Sequence, residues 1–227
     1  MRKYLAQIKP FRVSDEVSTK LEVAEYLRRL QGPILFDRVK GYPKFRIAGN
    51  LCSRREDIAK ILGVKKEEII GRLAKALDSP KRYRIVDDAD FLNNEVKNPD
   101  VIQHLPLLVY YRWKERYYTS ATIVLARDPE TGRENASFHR MMYLGGNRFA
   151  IRIVPRDLYN FFQRNKEEGR DTSVVVICGV HPIISLAAAT SSPGLNELEL
   201  ASALMDRRLQ CVKIEGMDVP VDSEVVM

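Results

Sequence analysis

The sequence predicts an α+β fold in two parts, an N-terminal α/β domain over residues 1–105 and a β-rich, barrel-like domain over residues 106–227. Three observations carry this reading. Before residue 80, apolar residues recur at helical spacing between short strand-like runs. From residue 106, extended segments rich in β-branched and aromatic residues follow one another, with turn residues between them. A polar, irregular stretch over residues 81–105 separates the two textures. The chain has 227 residues, 45% hydrophobic and 30% charged, enough to bury a core and stay soluble. That balance excludes disordered and collagen-like classes.

The elements follow in order. Residues 19–30 (TKLEVAEYLRRL) place Val23, Ala24, Leu27 and Leu30 on one helical face, and Gly32-Pro33 ends the helix. ILFDRV (34–39) reads as a strand, KGYP (40–43) as a turn and FRIAG (45–49) as a second strand. Ser53 and Glu56 have the spacing of a capping box for a helix running to Leu62, with Gly63 as its stop. A helix over residues 66–77 puts Ile69, Ile70, Leu73 and Leu77 on one face, and Ser79-Pro80 closes it. After Leu105 come LPLLVYYRW, YYTSATIVLAR, ASFHRMMYL and NRFAIRIV, read as a β-meander with turns at residues 128–132 and 145–147. A helix over 158–168, a strand over 173–180 and helices over 182–190 and 195–205 follow, then the strand-like LQCVKI and SEVVM. SEVVM has no cap or polar tail behind it, so the chain is expected to be part of a longer one.

The formal net charge is +7, which favours anionic partners in general. Three cysteines, Cys52, Cys178 and Cys211, form an odd, widely spaced set without a CxxC pair. A disulfide framework and a thiolate zinc site do not fit that spacing, and a reducing cytoplasm does. The N-terminus lacks an apolar secretory core. The uncharged run over 172–196 is broken by Gly179 and Pro182, so it reads as a buried strand and helix rather than a membrane span. Residues 57–77 carry a helix-turn-helix pattern with Lys65, Lys66, Arg72 and Lys75, which makes nucleic-acid binding an alternative function. Against it, Glu67 and Glu68 would face phosphate at the start of the recognition helix. No GxSxG, HExxH, P-loop or GxGxxG is present, and His104, His139 and His181 read as structural or surface residues.

Residues 134–142 (ENASFHRMM) gather an amide, a hydroxyl and a guanidinium at Asn135, Ser137 and Arg140, groups suited to phosphate or carboxylate. Strand alternation sets Asn135 and Arg140 on opposite faces. Both serve one site only if the segment includes a loop or a bulge.

These residues resemble the UbiD family of decarboxylases, which use prenylated FMN. Four blocks in order carry the resemblance: residues 32–59, 120–142, 177–204 and 211–226. The fold it implies for the second domain is a flavin-reductase-like split β-barrel. The resemblance implies a divalent metal, manganese or magnesium, with potassium beside it, holding the flavin phosphate. The matching ligands are Asn135 and Glu197, hard oxygen donors of the right class. Where the family shows Pro-Arg-His, this chain has Pro155-Arg156-Asp157. Asp157 then either replaces the histidine as a ligand or caps the helix that follows.

Arg140 matches the arginine that orients the substrate carboxylate. Ser137, Phe138 and His139 would line the cofactor, and Arg156 would reach flavin or substrate. The flavin carries the hard chemistry while the protein positions and protonates. The implied function is non-oxidative decarboxylation of a small α,β-unsaturated carboxylic acid. The leading substrate is anhydromevalonate phosphate in archaeal isoprenoid synthesis, and aromatic acids are the alternative. A flavin prenyltransferase would supply the cofactor, and the full-length protein would be a cytoplasmic homo-oligomer. The acidic residues and C-terminal domain that the family carries further on are not matched here, so this chain by itself is expected to be inactive.

Overall fold

The structure is a computed structural model and describes residues 1–119 and 121–227. Ser120, part of the run over 117–127 that reads as one strand, lies outside the described residues. Two elements precede the first predicted helix: α1 (Arg2–Gln7) and β1 (Phe11–Val17). In β1 only Val13 and Val17 are buried, too sparse a signal to mark a strand from sequence. α2 (Glu22–Arg29) leads to β2 (Ile34–Val39), which has the predicted bounds, and β3 spans Ile47–Gly49. β1 runs parallel to β2 and β3 antiparallel to it, in the order β1-β2-β3. The central place of β2 explains its unbroken apolar start, since both its faces are covered. Val23, Tyr26, Leu27 and Leu30 pack with Val13, Val17, Ile34 and Phe36 in a core of their own. Gly49 permits this contact, because a Cβ there would lie 2.2 Å from a Leu27 methyl.

α3 (Arg55–Leu62) ends at Gly63 in the left-handed conformation, φ 64°. The expected capping box does not form. The helix starts late enough that Arg54 holds the N-cap position without a side-chain bond, and Ser53 Oγ accepts from Gly32 N at 2.9 Å instead. A 3-10 turn, Lys66–Glu68, precedes α4 (Ile69–Asp78). Ile69 is buried but Ile70 is 64% exposed, a correction to the predicted apolar face. Residues 69, 73 and 76 keep helical register, and position 70 is turned about 100° away from 69.

The stretch over 81–105 holds β4 (Arg84–Ile85), a 3-10 turn at Asp90–Asn93 and α5 (Val101–His104). The β-rich part comprises β5 (Leu108–Tyr111), β6 (Lys114–Thr119), β7 (Ile123–Arg127), β8 (Glu134–Phe138), β9 (Met141–Gly145) and β10 (Arg148–Ile151). They do not form a simple meander. One sheet has the order β10-β9-β6-β5, whereas β7 and β8 belong to another. The chain changes sheets between β6 and β7 and again between β8 and β9. Local β-propensity sets that a segment is extended, not which neighbour it bonds.

α6 (Asp157–Glu167), β11 (Val174–Cys178), α7 (Pro182–Ala188) and α8 (Glu197–Leu204) fall close to the predicted helices and strand. β12 (Gln210–Ile214), β13 (Met217–Pro220) and β14 (Val225–Val226) complete the chain. The third sheet is β14-β11-β7-β8, with β8 at its edge, and the fourth is β13-β12-β4. Among the described residues no helix is long and apolar enough to cross a membrane.

Tyr4, Ile61 and Ile69 share a core with Ile123, Leu125, Ile177, Leu198, Leu200 and Leu204. α4 lies against α8, and Arg72 donates to the carbonyls of Ala203 and Leu204 at 3.1 Å each, where a helix C-terminus favours a cation. The helix pair that resembled a nucleic-acid motif thus has its second helix packed inward and Arg72 engaged.

Leu200→Ala, at a fully buried position, should lower unfolding free energy by about 2–5 kcal/mol. Ile70→Ala should stay within about 0.5 kcal/mol of the unaltered chain. Urea unfolding followed by circular dichroism measures both, and equal losses would contradict the packing described.

Candidate functional site

β7 and β8 form a hairpin whose turn is held from below. Asp128 N donates to the Arg133 carbonyl at 2.8 Å, and the buried Asp128 carboxylate accepts Arg164 Nη1 at 2.8 and 2.7 Å. Arg164 belongs to α6, so that helix is tied to the turn leading into β8.

Strand alternation then sorts the side chains of β8. Asn135 and Ser137 share one face, and Glu134 and Ala136 the other. Glu134 faces a buried cluster. Its Oε1 accepts Arg127 Nη2 at 2.5 Å and Asp218 N at 2.9 Å, and the Tyr83 hydroxyl lies 3.0 Å from Oε2. The same hydroxyl donates to Asp218 Oδ2 at 2.7 Å, and Lys213 pairs with Asp218. Burial first, and hydrogen bonding to Asp218 and Glu134 next, push the Tyr83 phenol far above its usual range. This cluster ties the edge strand to Arg127 of β7 and Asp218 of β13.

As an edge strand, β8 has backbone amides turned away from β7. The amide of Ala136 is satisfied by a side chain: Glu197 Oε2 accepts it at 2.9 Å. Glu197 Oε1 accepts Asn135 Nδ2 at 3.3 Å. Glu197 opens α8, which Asn196 caps by accepting Leu198 N and Glu199 N at 3.0 and 3.1 Å. The cap fixes where the helix begins and so where this carboxylate points. From Asn135 the hydrogen bonds continue. Ser137 Oγ lies 2.9 Å from Asn135 Oδ1 and 3.0 Å from His139 Nε2, and His139 Nδ1 lies 3.0 Å from the Arg152 carbonyl. A carbonyl only accepts, so Nδ1 carries a proton and donates. The Ser137 hydroxyl donates its one proton to Asn135 Oδ1.

Glu197 is 5% exposed. Burial pushes its carboxyl up to about 7. The Ala136 amide works against that shift, Asp157 adds to it, and Arg133 opposes it. Asp157 is the first residue of α6 and its side chain does not cap the helix; the N-cap position is Arg156. The capping role considered from sequence is thereby corrected. Asp157 Oδ1 instead accepts Arg133 Nη2 at 2.7 Å. Arg133 also donates Nη1 to the Leu195 carbonyl at 3.3 Å and lies over the Phe161 ring, 5.6 Å from its centre. One guanidinium thus links the start of α6, the approach to α8 and the entrance of β8.

The structure therefore brings Asn135, Ser137, His139 and Glu197 into one hydrogen-bonded chain, with Asp157 in electrostatic reach of Glu197. Phe138, Arg140 and Arg156 are exposed. The two arginine side chains make no ion pair or hydrogen bond among the described residues. β8 ends at Phe138 and β9 begins at Met141, so His139 and Arg140 occupy the break between two sheets. A loop at this place is what the sequence reading requires if Asn135 and Arg140 are to serve one site. Sequence reasoning missed Arg133 and the Tyr83–Glu134–Asp218 cluster. Their partners lie 24 to 135 positions away, and no local pattern announces them. Among the described residues no group of three His, Cys, Asp or Glu is close enough to hold a metal.

Comparison with known proteins agrees with the family named by the four blocks. The profile described as 3-octaprenyl-4-hydroxybenzoate carboxy-lyase N-terminal domain matches residues 11–77, and that of the carboxy-lyase Rift-related domain matches residues 84–227. The chain is 34% identical to anhydromevalonate phosphate decarboxylase of Methanothermobacter thermautotrophicus, over all of this chain and 54% of that protein. It is 30% identical to phenolic acid decarboxylase of Bacillus subtilis, over 86% of this chain and 44% of that one. The solved structure of the UbiD-class enzyme HmfF from Pelotomaculum thermopropionicum in complex with FMN superposes with a TM-score of 0.92 at 34% identity. That superposition covers 99% of this chain and 53% of the other. The chain spans about half the length of the relatives it matches.

The raised carboxyl at Glu197 sets a pH dependence. The unfolded chain ionises this group near its ordinary value of 4.5, whereas the folded chain holds the proton until about 7. The group's contribution to stability is present at low pH and is lost as pH rises between those values, by about 3 kcal/mol at most. Glu197→Gln should remove that part of the slope. Urea midpoints from pH 4.5 to 8 for both proteins test it, and parallel profiles would contradict the assignment.

Proposed function

The chain belongs to the UbiD family of carboxy-lyases, and from that premise we propose that it forms the first half of a non-oxidative, prenylated-FMN-dependent decarboxylase. The observation that carries the reading is the meeting of Asn135 and Glu197, 62 positions apart in sequence, on a single edge strand. Residues 1–105 are taken as the N-terminal domain and 106–227 as part of a flavin-reductase-like split β-barrel that holds the cofactor. The rest of the enzyme belongs to the half that this chain does not span.

Asn135, Glu197 and Asp157 are the residues that would hold a divalent cation, manganese or magnesium, with potassium nearby. Their chemistry fits. All three offer oxygen donors, which hard cations prefer. Glu197 is a buried carboxylate whose ionised form lacks a countercharge in contact. Asn135 Oδ1 accepts the Ser137 hydroxyl with one lone pair and has a second to offer a cation. Such a cation would anchor the phosphate of the flavin. The flavin, when bound, supplies the electron sink for breaking a bond to a carboxylate.

The chain's own residues orient and shield. Arg140 presents a planar fork to the substrate carboxylate, the geometry that grips paired oxygens. Ser137, Phe138 and His139 line the cofactor, and Arg156 reaches flavin or substrate from the start of α6. In the reaction the bond from the unsaturated carbon to the carboxylate breaks, carbon dioxide leaves, and a proton takes its place. The leading substrate is trans-anhydromevalonate 5-phosphate, giving isopentenyl phosphate. In support, relatives carrying that name reach 34% identity over the whole chain, against 30% over 86% for a phenolic acid decarboxylase. The basic balance of the chain suits a substrate with a phosphate as well as a carboxylate. A flavin prenyltransferase would supply the cofactor, in the cytoplasm, to a homo-oligomer of the full-length protein.

Full-length protein loaded with prenylated FMN and manganese should release carbon dioxide from trans-anhydromevalonate 5-phosphate. Release only from phenolic acids would move the assignment to the aromatic branch, and release from neither would end it. Arg140→Ala should lower kcat/KM by roughly a hundredfold or more without moving the melting temperature. Asn135→Ala and Glu197→Ala should each lose bound manganese by elemental analysis. Asp157→Ala tests its place in the set, and unchanged occupancy would remove it.

A further inference from the structure

We propose that a cleft between α1 and the first sheet is a binding site for a small phosphate monoester with an aliphatic body. This inference stands apart from the decarboxylase reading and does not depend on it.

The cleft follows from how the sheet is covered. Ile34 and Phe36 of β2 face α2, while Leu35 and Asp37 alternate to the other side, where Arg12 of β1 joins them. Residues 2–10 pass along that side and leave a cleft of about 460 Å³. Pockets that hold small organic ligands run from roughly 300 to 1,000 Å³.

Four cations line the cleft: Arg2, Lys9, Arg12 and Arg46. Asp37 holds Arg12 through Nε at 3.0 Å and Nη2 at 2.6 Å. Glu224 holds Arg2 through Nε at 2.9 Å and Nη2 at 2.7 Å. Lys9 and Arg46 make no ion pair or hydrogen bond among the described residues. Four cations less two pairing carboxylates leave two positive charges unmatched. A phosphate monoester carries about two negative charges above its second pKa, near 6, which meets that surplus. The tethered guanidinium of Arg12 is pre-oriented by its carboxylate, and the free ends of Lys9 and Arg46 are left to close on the anion.

The remaining wall is apolar. Leu5 and Ile8 offer aliphatic surface beside the charges, over a floor closed by the buried Leu35. Inorganic phosphate would leave that surface wet, whereas an aliphatic ester would cover it, so the site should prefer the ester. A neutral alcohol of the same length would lack the charge contact.

The test uses this 227-residue chain with labelled leucine and isoleucine methyls, titrated with n-butyl phosphate, inorganic phosphate and n-butanol. n-Butyl phosphate should saturate, shift the methyls of Leu5, Ile8 and Leu35, and bind at least about tenfold more tightly than inorganic phosphate. n-Butanol should not saturate at the same concentrations. The double variant Lys9→Met, Arg46→Met should weaken n-butyl phosphate by about tenfold or more while keeping its melting temperature. Equal binding of the two phosphates, shifts confined to other methyls, an unaffected double variant or no saturable binding would each overturn the proposal. So would tighter binding of an acidic peptide, acetyl-Leu-Glu-Glu-amide, which would assign the cleft to polypeptide instead.

Discussion

One contact organises the candidate site: the Glu197 carboxylate against the edge of β8. An edge strand needs its outward amides satisfied, and a buried carboxylate needs donors. Here each need answers the other, through Ala136 N at 2.9 Å and Asn135 Nδ2 at 3.3 Å. Two amide donors do not neutralise a buried negative charge, and that is why the group keeps its proton up to about 7.

Around that contact the supports come from several parts of the chain. The cap at Asn196 sets the first residue of α8. Arg133 ties the Leu195 carbonyl to Asp157 and rests on Phe161. On the far face of β8, Glu134 is locked by Arg127, Tyr83 and the Asp218 amide. Strand parity makes this division of labour possible. Alternate residues of one short strand face a rigid anchor on one side and the hydrogen-bonded chain of Asn135, Ser137 and His139 on the other. The anchor costs three buried or half-buried charges, Glu134, Asp218 and Arg127, and it holds the site to a strand rather than to a loop.

The helices and strands that the sequence marks clearly are those with dense local signals. β2 has an unbroken apolar run, α3 has a left-handed glycine at its end, and the run over 172–196 divides at Gly179 and Pro182 as read. α1 and β1 carry weak patterns and were not legible. The capping box was legible and did not form, because α3 begins at Arg55 and leaves Ser53 outside the cap position, where it accepts from Gly32. Ile70 looked like core by composition and points to solvent, because the helix is anchored by Ile69.

The candidate site divides in the same way. Asn135, Ser137, His139, Arg140 and Glu197 could be named from sequence because the four blocks stand in a fixed order along the chain. The sequence by itself determined which segments are extended, where the helices stop, and which residue types are at hand for oxygen coordination. Tertiary structure alone decided that β6 and β7 part into different sheets, that Asp157 bonds to Arg133 rather than capping its helix, and that Glu197 reaches an edge amide. Helix and strand signals arise within a few residues, where the backbone geometry repeats. Partner choice for a buried charge is settled across dozens of residues, by whichever donor the packing leaves within three ångströms.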